Sequence, residues 1–259
     1  PGMNVRDLFD LGGKVAIVTG GATGLGRQMS EALAELGADV VVCARKAERC
    51  EQAAAELAGF GVRTLGLGCD VRDPEQVQEV VRRTVDELGR LDILINNAGV
   101  MLLGPIVDAP VEEWEQMIEV NLLGLLYVSR AALPHLLKAA QGERGVADLV
   151  NISSVAGRVA RLGSGVYNAT KHGVGAFSES LRQEVTGRQV RISLIEPGAV
   201  TTELIDHNRP EIQNLIRERL GEIEKLQSPD IADAISYVVT RPPHVAINEV
   251  LIRPTGQTG

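Results

Sequence analysis

Tyr167 and Lys171 stand four residues apart in the run Tyr-Asn-Ala-Thr-Lys. On a helix that spacing puts the phenol and the ammonium on one face. An unperturbed Tyr titrates at ~10 and is a poor acid–base catalyst at neutral pH. A cation ~4 Å away contributes up to about 4 kcal/mol at an effective dielectric of ~20. That predicts a phenol lowered by about three pH units, close to the range where it works best as acid or base. Lysine is scarce, with five among the 26 basic residues, and there are three Tyr. A Lys at +4 from any Tyr then arises by chance about one time in twenty. Tyr127 has Ala131 there, and Tyr237 has Arg241 just before Pro242-Pro243. An ordinary helix-surface pair would share the spacing, but Asn151-Ile152-Ser153-Ser154 upstream argues against it. A hydroxyl at the end of that apolar run can orient a carbonyl oxygen, and Ser153 and Ser154 are both candidates.

A second chemical signal is Thr19-Gly20-Gly21-Ala22-Thr23-Gly24-Leu25-Gly26. Gly20, Gly24 and Gly26 are spaced GxxxGxG. Glycine permits a tight turn and lets backbone approach a pyrophosphate. A helix that starts there offers unpaired N–H groups and its positive dipole end to the phosphates. The run predicts a dinucleotide site using Gly20, Thr23, Gly24, Leu25 and Gly26. Where an NAD site usually offers a carboxylate to the ribose, this chain has Cys43-Ala44-Arg45-Lys46. The nearest acids are Asp39 and Glu48. Two cations suit a 2′-phosphate, so NADP(H) is preferred and NAD(H) stays possible.

These groups need elements to hold them. Lys14–Thr19 and Val40–Cys43 are short, β-branched and apolar, and read as buried strands. Further strands are expected near 62–68, 91–95, 147–152, 190–195 and 248–252. Leu25, Met29, Leu33 and Leu36 recur at helical spacing before Gly37. A polar helix follows strand two, and others are expected near 73–88, 111–140, 165–187 and 229–240. Strand–helix alternation with near-continuous apolar strands predicts an α/β fold, a doubly wound parallel sheet in three α/β/α layers, as a single domain. Residues 201–226 break the rhythm. They follow a strand end, where ligands sit, so the segment is expected to be a helical substrate lid.

Composition closes off other classes. The net charge of −8 disfavours a nucleic-acid surface. No uninterrupted apolar run approaches the ~18 residues of a membrane span, and the N-terminal stretch lacks a signal's apolar core. Cys43, Cys50 and Cys69 have no CxxC spacing and suit free thiols in a reducing cytoplasm. His135, His172, His207 and His244 form no zinc-binding pair, so no metal is expected. Pro1-Gly2 before Met3 reads as an appended dipeptide.

Taken together these residues resemble the short-chain dehydrogenase/reductase family, in its branch of single-domain Rossmann-fold subunits of ~250 residues. The resemblance rests on TGGATGLG at 19–26, Asp70-Val71, NNAG at 96–99, Asn121 in VNLLG, NISS at 151–154, YNATK at 167–171 and Pro197-Gly198. It implies NAD(P)-dependent interconversion of a small carbonyl and its alcohol. It implies Ser154, thirteen residues before Tyr167, as the catalytic hydroxyl, Tyr167 as proton donor or acceptor, Lys171 as its modulator and ribose ligand, and Asn121 as support for a proton relay. Asp70 and Val71 would meet the adenine, Asn97, Ala98 and Gly99 the adenosine side, and Pro197, Gly198, Val200 and Thr202 the nicotinamide. A basic residue at Arg45 fits NADP-preferring members, whereas Thr23 stands where many of them carry another. The family also implies a homo-oligomer, dimer or tetramer, paired through the long helices near 111–140 and 165–187. Candidate substrate walls are Met101, Leu102, Leu103, Val155, Arg158, Ala199, Leu204 and Ile205. Arg158 is placed to meet a substrate carboxylate or else solvent. From about Asn97 to Thr255 the chain is similar to clavaldehyde dehydrogenase-like and serine dehydrogenase-like members. The stretch before it looks more like gluconate dehydrogenase and ketoacyl reductase members, which implies a mosaic. The rival readings are an NAD-dependent alcohol dehydrogenase and a non-catalytic dinucleotide-binding regulator.

Overall fold

The computed structural model describes residues 4–259, so the Pro1-Gly2 dipeptide lies outside the described residues. Seven parallel strands form one sheet: β1 (Val15–Thr19), β2 (Asp39–Ala44), β3 (Thr64–Gly68), β4 (Ile93–Asn96), β5 (Ala147–Ile152), β6 (Val190–Pro197) and β7 (Glu249–Ile252). Their order across the sheet is β3-β2-β1-β4-β5-β6-β7. The helices are α1 (Gly24–Glu35), α2 (Ala47–Leu57), α3 (Pro74–Leu88), α4 (Val111–Met117), α5 (Leu125–Ala140), α6 (Gly165–Val185), α7 (Pro210–Leu220) and α8 (Ser228–Val239).

The sheet is covered on both faces, which is why its strands are apolar without alternation. Val15, Ile17, Val41 and Leu94 face one way and pack with Val77 and Val80 of α3, Leu136 of α5 and Leu181 of α6. Ala16, Val18, Val40 and Val42 face the other way, against Met29 and Leu33 of α1, Ala53 and Leu57 of α2, and Ile231 and Ile235 of α8. This is the three-layer, Rossmann-like α/β/α sandwich that the alternation predicts.

Element edges shift for local reasons. The strand expected from 62 begins at Thr64, because Gly61 turns the chain with φ 84° and Asp39 then takes the Arg63 amide at 2.8 Å. α3 is capped at its start by Asp73, whose side chain accepts from the Glu75 and Gln76 amides. The long helix near 111–140 is one rod in three pieces. α4 and α5 are joined by a π-helical stretch, Ile118–Gly124. By length and composition alone Val111–Ala140 could cross a membrane, with mean hydropathy 1.3, yet α5 lies against α3, β4 and β5. The segment after β6 holds a short turn of helix at Glu203–His207 and then α7.

Buried ions anchor the sheet at its opposite end. Asp148, fully buried, takes Arg191 at 2.7 Å and Arg144 at 2.9 Å. The same Arg191 guanidinium donates to the carbonyls of Arg241, Pro242 and Val245. Asp92 accepts from the Val15 amide and from Arg90. Among the described residues the carboxyl ends of β1 and β4 carry no such clamp. β1 has β2 on one side and β4 on the other, so the chain changes winding direction there and opens a crevice.

Candidate active site

That crevice is a cleft of about 920 Å³ running from the turn after β1 to α7. At one end the Gly-rich turn is built as the spacing predicts. Gly20 and Gly24 have φ of 62° and 53°, values that favour glycine. A Cβ on Gly26 would overlap the Gly20 carbonyl oxygen, so only glycine lets α1 approach the turn. Thr23, the N-cap of α1, makes no side-chain cap bond, so its side chain leaves the first-turn amides unpaired beside the cleft. Asn97 braces the turn, donating from Nδ2 to the carbonyls of Thr19 and Gly20 at 3.2 and 3.3 Å. The amides of Asn97 and Ala98 both donate to Thr19 Oγ1 at 3.0 Å.

Gly20, Thr23, Gly24, Leu25, Gly26, Asn97, Ala98, Gly99, Pro197, Gly198, Val200 and Thr202 all line this cleft. Arg45, Lys46, Asp70 and Val71 do not. Arg45 and Lys46 are exposed at the end of β2. Asp70 turns to Arg72, whose Nη2 stands 2.7 Å from Oδ2 and holds the carboxyl below its usual range. It borders a separate hollow with Asp73, Gln76 and Glu119. The Val71 side chain is core, packed where Gly124 lacks a Cβ.

The middle of the cleft holds the hydroxyls and the amine. β5 ends at Ile152 and delivers Ser153 and Ser154; the first two turns of α6 deliver Tyr167 and Lys171. Ser154 is the serine whose hydroxyl bears on the phenol, and its Oγ accepts from the Ala156 amide at 3.1 Å. Ser153 is 6 % exposed and faces Gly157 instead, with its Oγ unpartnered. Lys171 Nζ donates to the Ile152 carbonyl at 3.2 Å and lies 5.8 Å from the Tyr167 ring centroid. Asn121 stands behind them in the π-helical stretch, 2 % exposed. Its Oδ1 accepts from the Val100 amide and its Nδ2 donates to the Val100 carbonyl, each at 2.8 Å. Gly99 sits between: a Cβ there would lie 3.4 Å from Asn121 Oδ1 and 4.0 Å from Lys171 Nζ.

The electrostatics depart from the sequence expectation. Burial pushes the Tyr167 phenol up to about 12, with the Ser154 hydroxyl pulling the other way. Burial draws the Lys171 ammonium down to about 8. The expected lowering of the phenol by about three units is therefore absent. Both groups lie in one dry floor, and desolvation disfavours the charged form of each. The ammonium is also bound to a carbonyl rather than held against the phenolic oxygen.

Arg158 needs a second correction. It does not line the cleft: exposed at the surface, its Nη2 pairs with Glu196 at 2.7 Å and Glu249 at 2.8 Å, joining the loop after β5 to β6 and β7. Met101, Leu103, Val155, Ala199, Leu204 and Ile205 do line the cleft, whereas Leu102 does not. Sequence reasoning left out the wall made by α7: Ile212, Leu215, Ile216 and Leu220. Their i, i+3, i+4, i+8 spacing was the available signal. Among the described residues no group of three His, Cys, Asp or Glu is placed to hold a metal.

The chain resembles known oxidoreductases along nearly its whole length. An uncharacterized oxidoreductase of Staphylococcus saprophyticus is 36 % identical over 259 residues, covering 98 % of this chain and 99 % of its own. Among solved structures, a closed form of serine dehydrogenase complexed with NADP+ has a TM-score of 0.85 at 32 % identity, with 95 % and 96 % of the two chains covered. An alcohol dehydrogenase from Thermococcus sibiricus complexed with 5-hydroxy-NADP has a TM-score of 0.83 at 27 % identity, covering 95 % and 98 %. The family model described as short chain dehydrogenase matches residues 14–213, from the start of β1 into α7, so it takes in both the glycine turn and the Tyr167–Lys171 pair. With the fold, the cleft and this match in agreement, the chain belongs to the short-chain dehydrogenase/reductase family of oxidoreductases.

Proposed function

We propose that this protein reduces a ketone or aldehyde to an alcohol, reversibly, with NADP(H) as the redox partner. The observation that carries the reading is the buried phenol of Tyr167, held beside Ser154 in the cleft that the glycine turn closes. A phenol pushed up to about 12 keeps its proton throughout the neutral range. It is therefore an acid in waiting, suited to protonate an alkoxide as it forms.

The residues present fit a dinucleotide. Gly24, with nothing within 4 Å of where a Cβ would stand, leaves the turn open to a phosphate, and the α1 amides that Thr23 leaves uncapped supply donors. Gly20, Thr23, Gly24, Leu25 and Gly26 would hold the pyrophosphate; Asn97, Ala98 and Gly99 the adenosine side; and Pro197, Gly198, Val200 and Thr202 the nicotinamide end. Asp70 and Val71 would approach the adenine, and Arg45 and Lys46 the ribose 2′-phosphate. When bound, the reduced nicotinamide supplies the hydride that adds to the carbonyl carbon. Ser154 Oγ–H donates to the carbonyl oxygen and fixes its direction. Tyr167 Oη passes its proton to that oxygen. Lys171, protonated below about pH 8, is the nearby cation that stabilises the phenolate left behind. Asn121 holds the Val100 backbone and so keeps Gly99 clear beside Lys171.

The preference for NADP(H) over NAD(H) rests on Arg45 and Lys46 and on the lack of a free carboxylate at the end of β2. Asp39 is engaged by Arg63 at 2.8 Å. Segment 201–226 acts as a substrate lid, and the chain works as a homo-oligomer through α4–α5 and α6, where Ile118 and Leu123 are exposed. The deciding experiment is Tyr167→Phe with NADPH consumption over a panel of carbonyls. The variant is expected to bind NADPH as the parent does and to lose most of kcat. Full turnover in that variant overturns the assignment, and a Kd for NADPH no tighter than for NADH overturns the cofactor choice.

A further inference from the structure

The substrate half of the cleft has a wall with a direction. Ile212, Ile216 and Leu220 of α7 line it, with Leu103 from the loop after β4. Ile212 is buried against the Gly104 backbone, and Leu103 is tied to the same segment because its amide donates to Asn208 Oδ1 at 2.7 Å. Toward the mouth the apolar lining continues into the open, where Leu215 is 57 % exposed and Leu162 is 88 % exposed. Single exposed leucines are ordinary, but these two continue a lined cleft outward. The mouth is also where charge appears. Arg219 ends the α7 wall and donates from Nη1 to the Leu162 carbonyl at 3.4 Å. Arg161 is the next residue back from Leu162, lines the same cleft, and packs beside Gly259. Neither guanidinium has a carboxylate within 4.0 Å among the described residues, and Glu203 is the one acidic side chain among the lining residues. From Ile212 to Arg219 the helix advances roughly 10 Å.

We propose that the substrate is an amphipathic oxo-acid. Its carbonyl sits by Tyr167 and Ser154, its apolar body covers the α7 wall, and its carboxylate meets Arg219 at the mouth, with Arg161 beside it. This inference rests on the carbonyl-reductase reading above. A small polar substrate would leave the wall of α7 uncovered. A guanidinium can take a carboxylate through two parallel N–H bonds, which gives the site its selectivity for an acid over an ester.

The test compares kcat/KM for 9-oxodecanoate, its methyl ester and levulinate with NADPH, alongside calorimetric binding of decanoate, which cannot be reduced. The acid should exceed its ester by about tenfold and levulinate by more, as a charge-assisted pair and a covered wall both contribute. In Arg219→Gln the acid-to-ester ratio should fall to about one and decanoate binding should weaken about tenfold, while Arg219→Lys keeps part of both. In Leu215→Asn the advantage of 9-oxodecanoate over levulinate should shrink. Equal rates for acid and ester in the parent, or a ratio that survives Arg219→Gln, overturn the inference. Turnover confined to short ketones overturns it too, and leaves the reductase reading standing. If no carbonyl consumes NADPH or NADH, the reductase reading fails, and Arg219-dependent binding of decanoate then decides the anion-and-chain site by itself.

Discussion

Replacing Lys171 by Met should make the folded protein more stable at pH 7. In the parent, burial draws the ammonium from its ordinary 10.5 down to about 8. At ~1.36 kcal/mol per unit, holding that charge in the dry floor costs about 3 kcal/mol below pH 8. The side chain is 7 % exposed, so solvent screens little of it. Methionine keeps a similar length and carries no charge. It also gives up the bond from Nζ to the Ile152 carbonyl, worth about 1 kcal/mol. The net gain is about 2 kcal/mol, or roughly 5 °C in Tm for a chain of this size. The pH dependence separates this from ordinary repacking. Below pH 8 both folded and unfolded parent chains carry the proton and the whole cost is present. Between 8 and 10.5 the unfolded chain keeps the proton and the folded chain sheds it, so parent stability rises with pH. By pH 9.5 about 2 kcal/mol of the difference should be gone and the two proteins should match. Tyr167, at about 10 unfolded and about 12 folded, acts mainly above pH 10 and does so in both proteins. Urea denaturation at pH 7, 8 and 9.5 reads all of this. A variant less stable than the parent at pH 7, or a gap that does not change with pH, refutes the reasoning.

Three further outcomes are expected. Gly26→Ala forces a Cβ into the Gly20 carbonyl, so NADPH affinity should fall at least about tenfold, read by fluorescence titration. Arg158→Ala leaves Glu196, whose side chain is 2 % exposed, without its cation; stability should drop by about 3 kcal/mol at pH 7, and adding Glu196→Gln should recover most of it in a double-mutant cycle. Asn121→Ala strips partners from both Val100 backbone groups and should cost about 2 kcal/mol in urea together with a fall in kcat, whereas Leu123→Ala in the same helical stretch should leave kcat near the parent value.

What could be read from the sequence follows from range. The turn after β1 is local: strand, glycines and helix all lie between Val15 and Glu35, and the structure builds it as spaced, down to positive φ at Gly20 and Gly24. The sheet was legible because strands covered on both faces need unbroken apolar runs. Arg158 was not legible, because its partners are 38 and 91 residues away and meet it only when β6 and β7 pair. The titration of Tyr167 and Lys171 was misjudged for a related reason. Spacing on a helix gives proximity, but dryness comes from elements distant in sequence, and here dryness dominates. The substrate wall of α7 carried a readable period, and only its placement against Leu103 and Gly104 required the fold.

The π-helical stretch at Ile118–Gly124 also sets a rotational phase. Each α-helical residue turns the chain by about 100°, and a wider turn holds an extra residue before the next begins. α4 and α5 therefore share an axis but are out of step, like two gears offset by one tooth on a shaft. This offset lets Asn121 aim at Val100 while Val128, Ala132 and Leu136 of the same rod remain in the core. Shortening the stretch by one residue would bring the gears back into step, and the rod could then serve the sheet or the cleft, but not both.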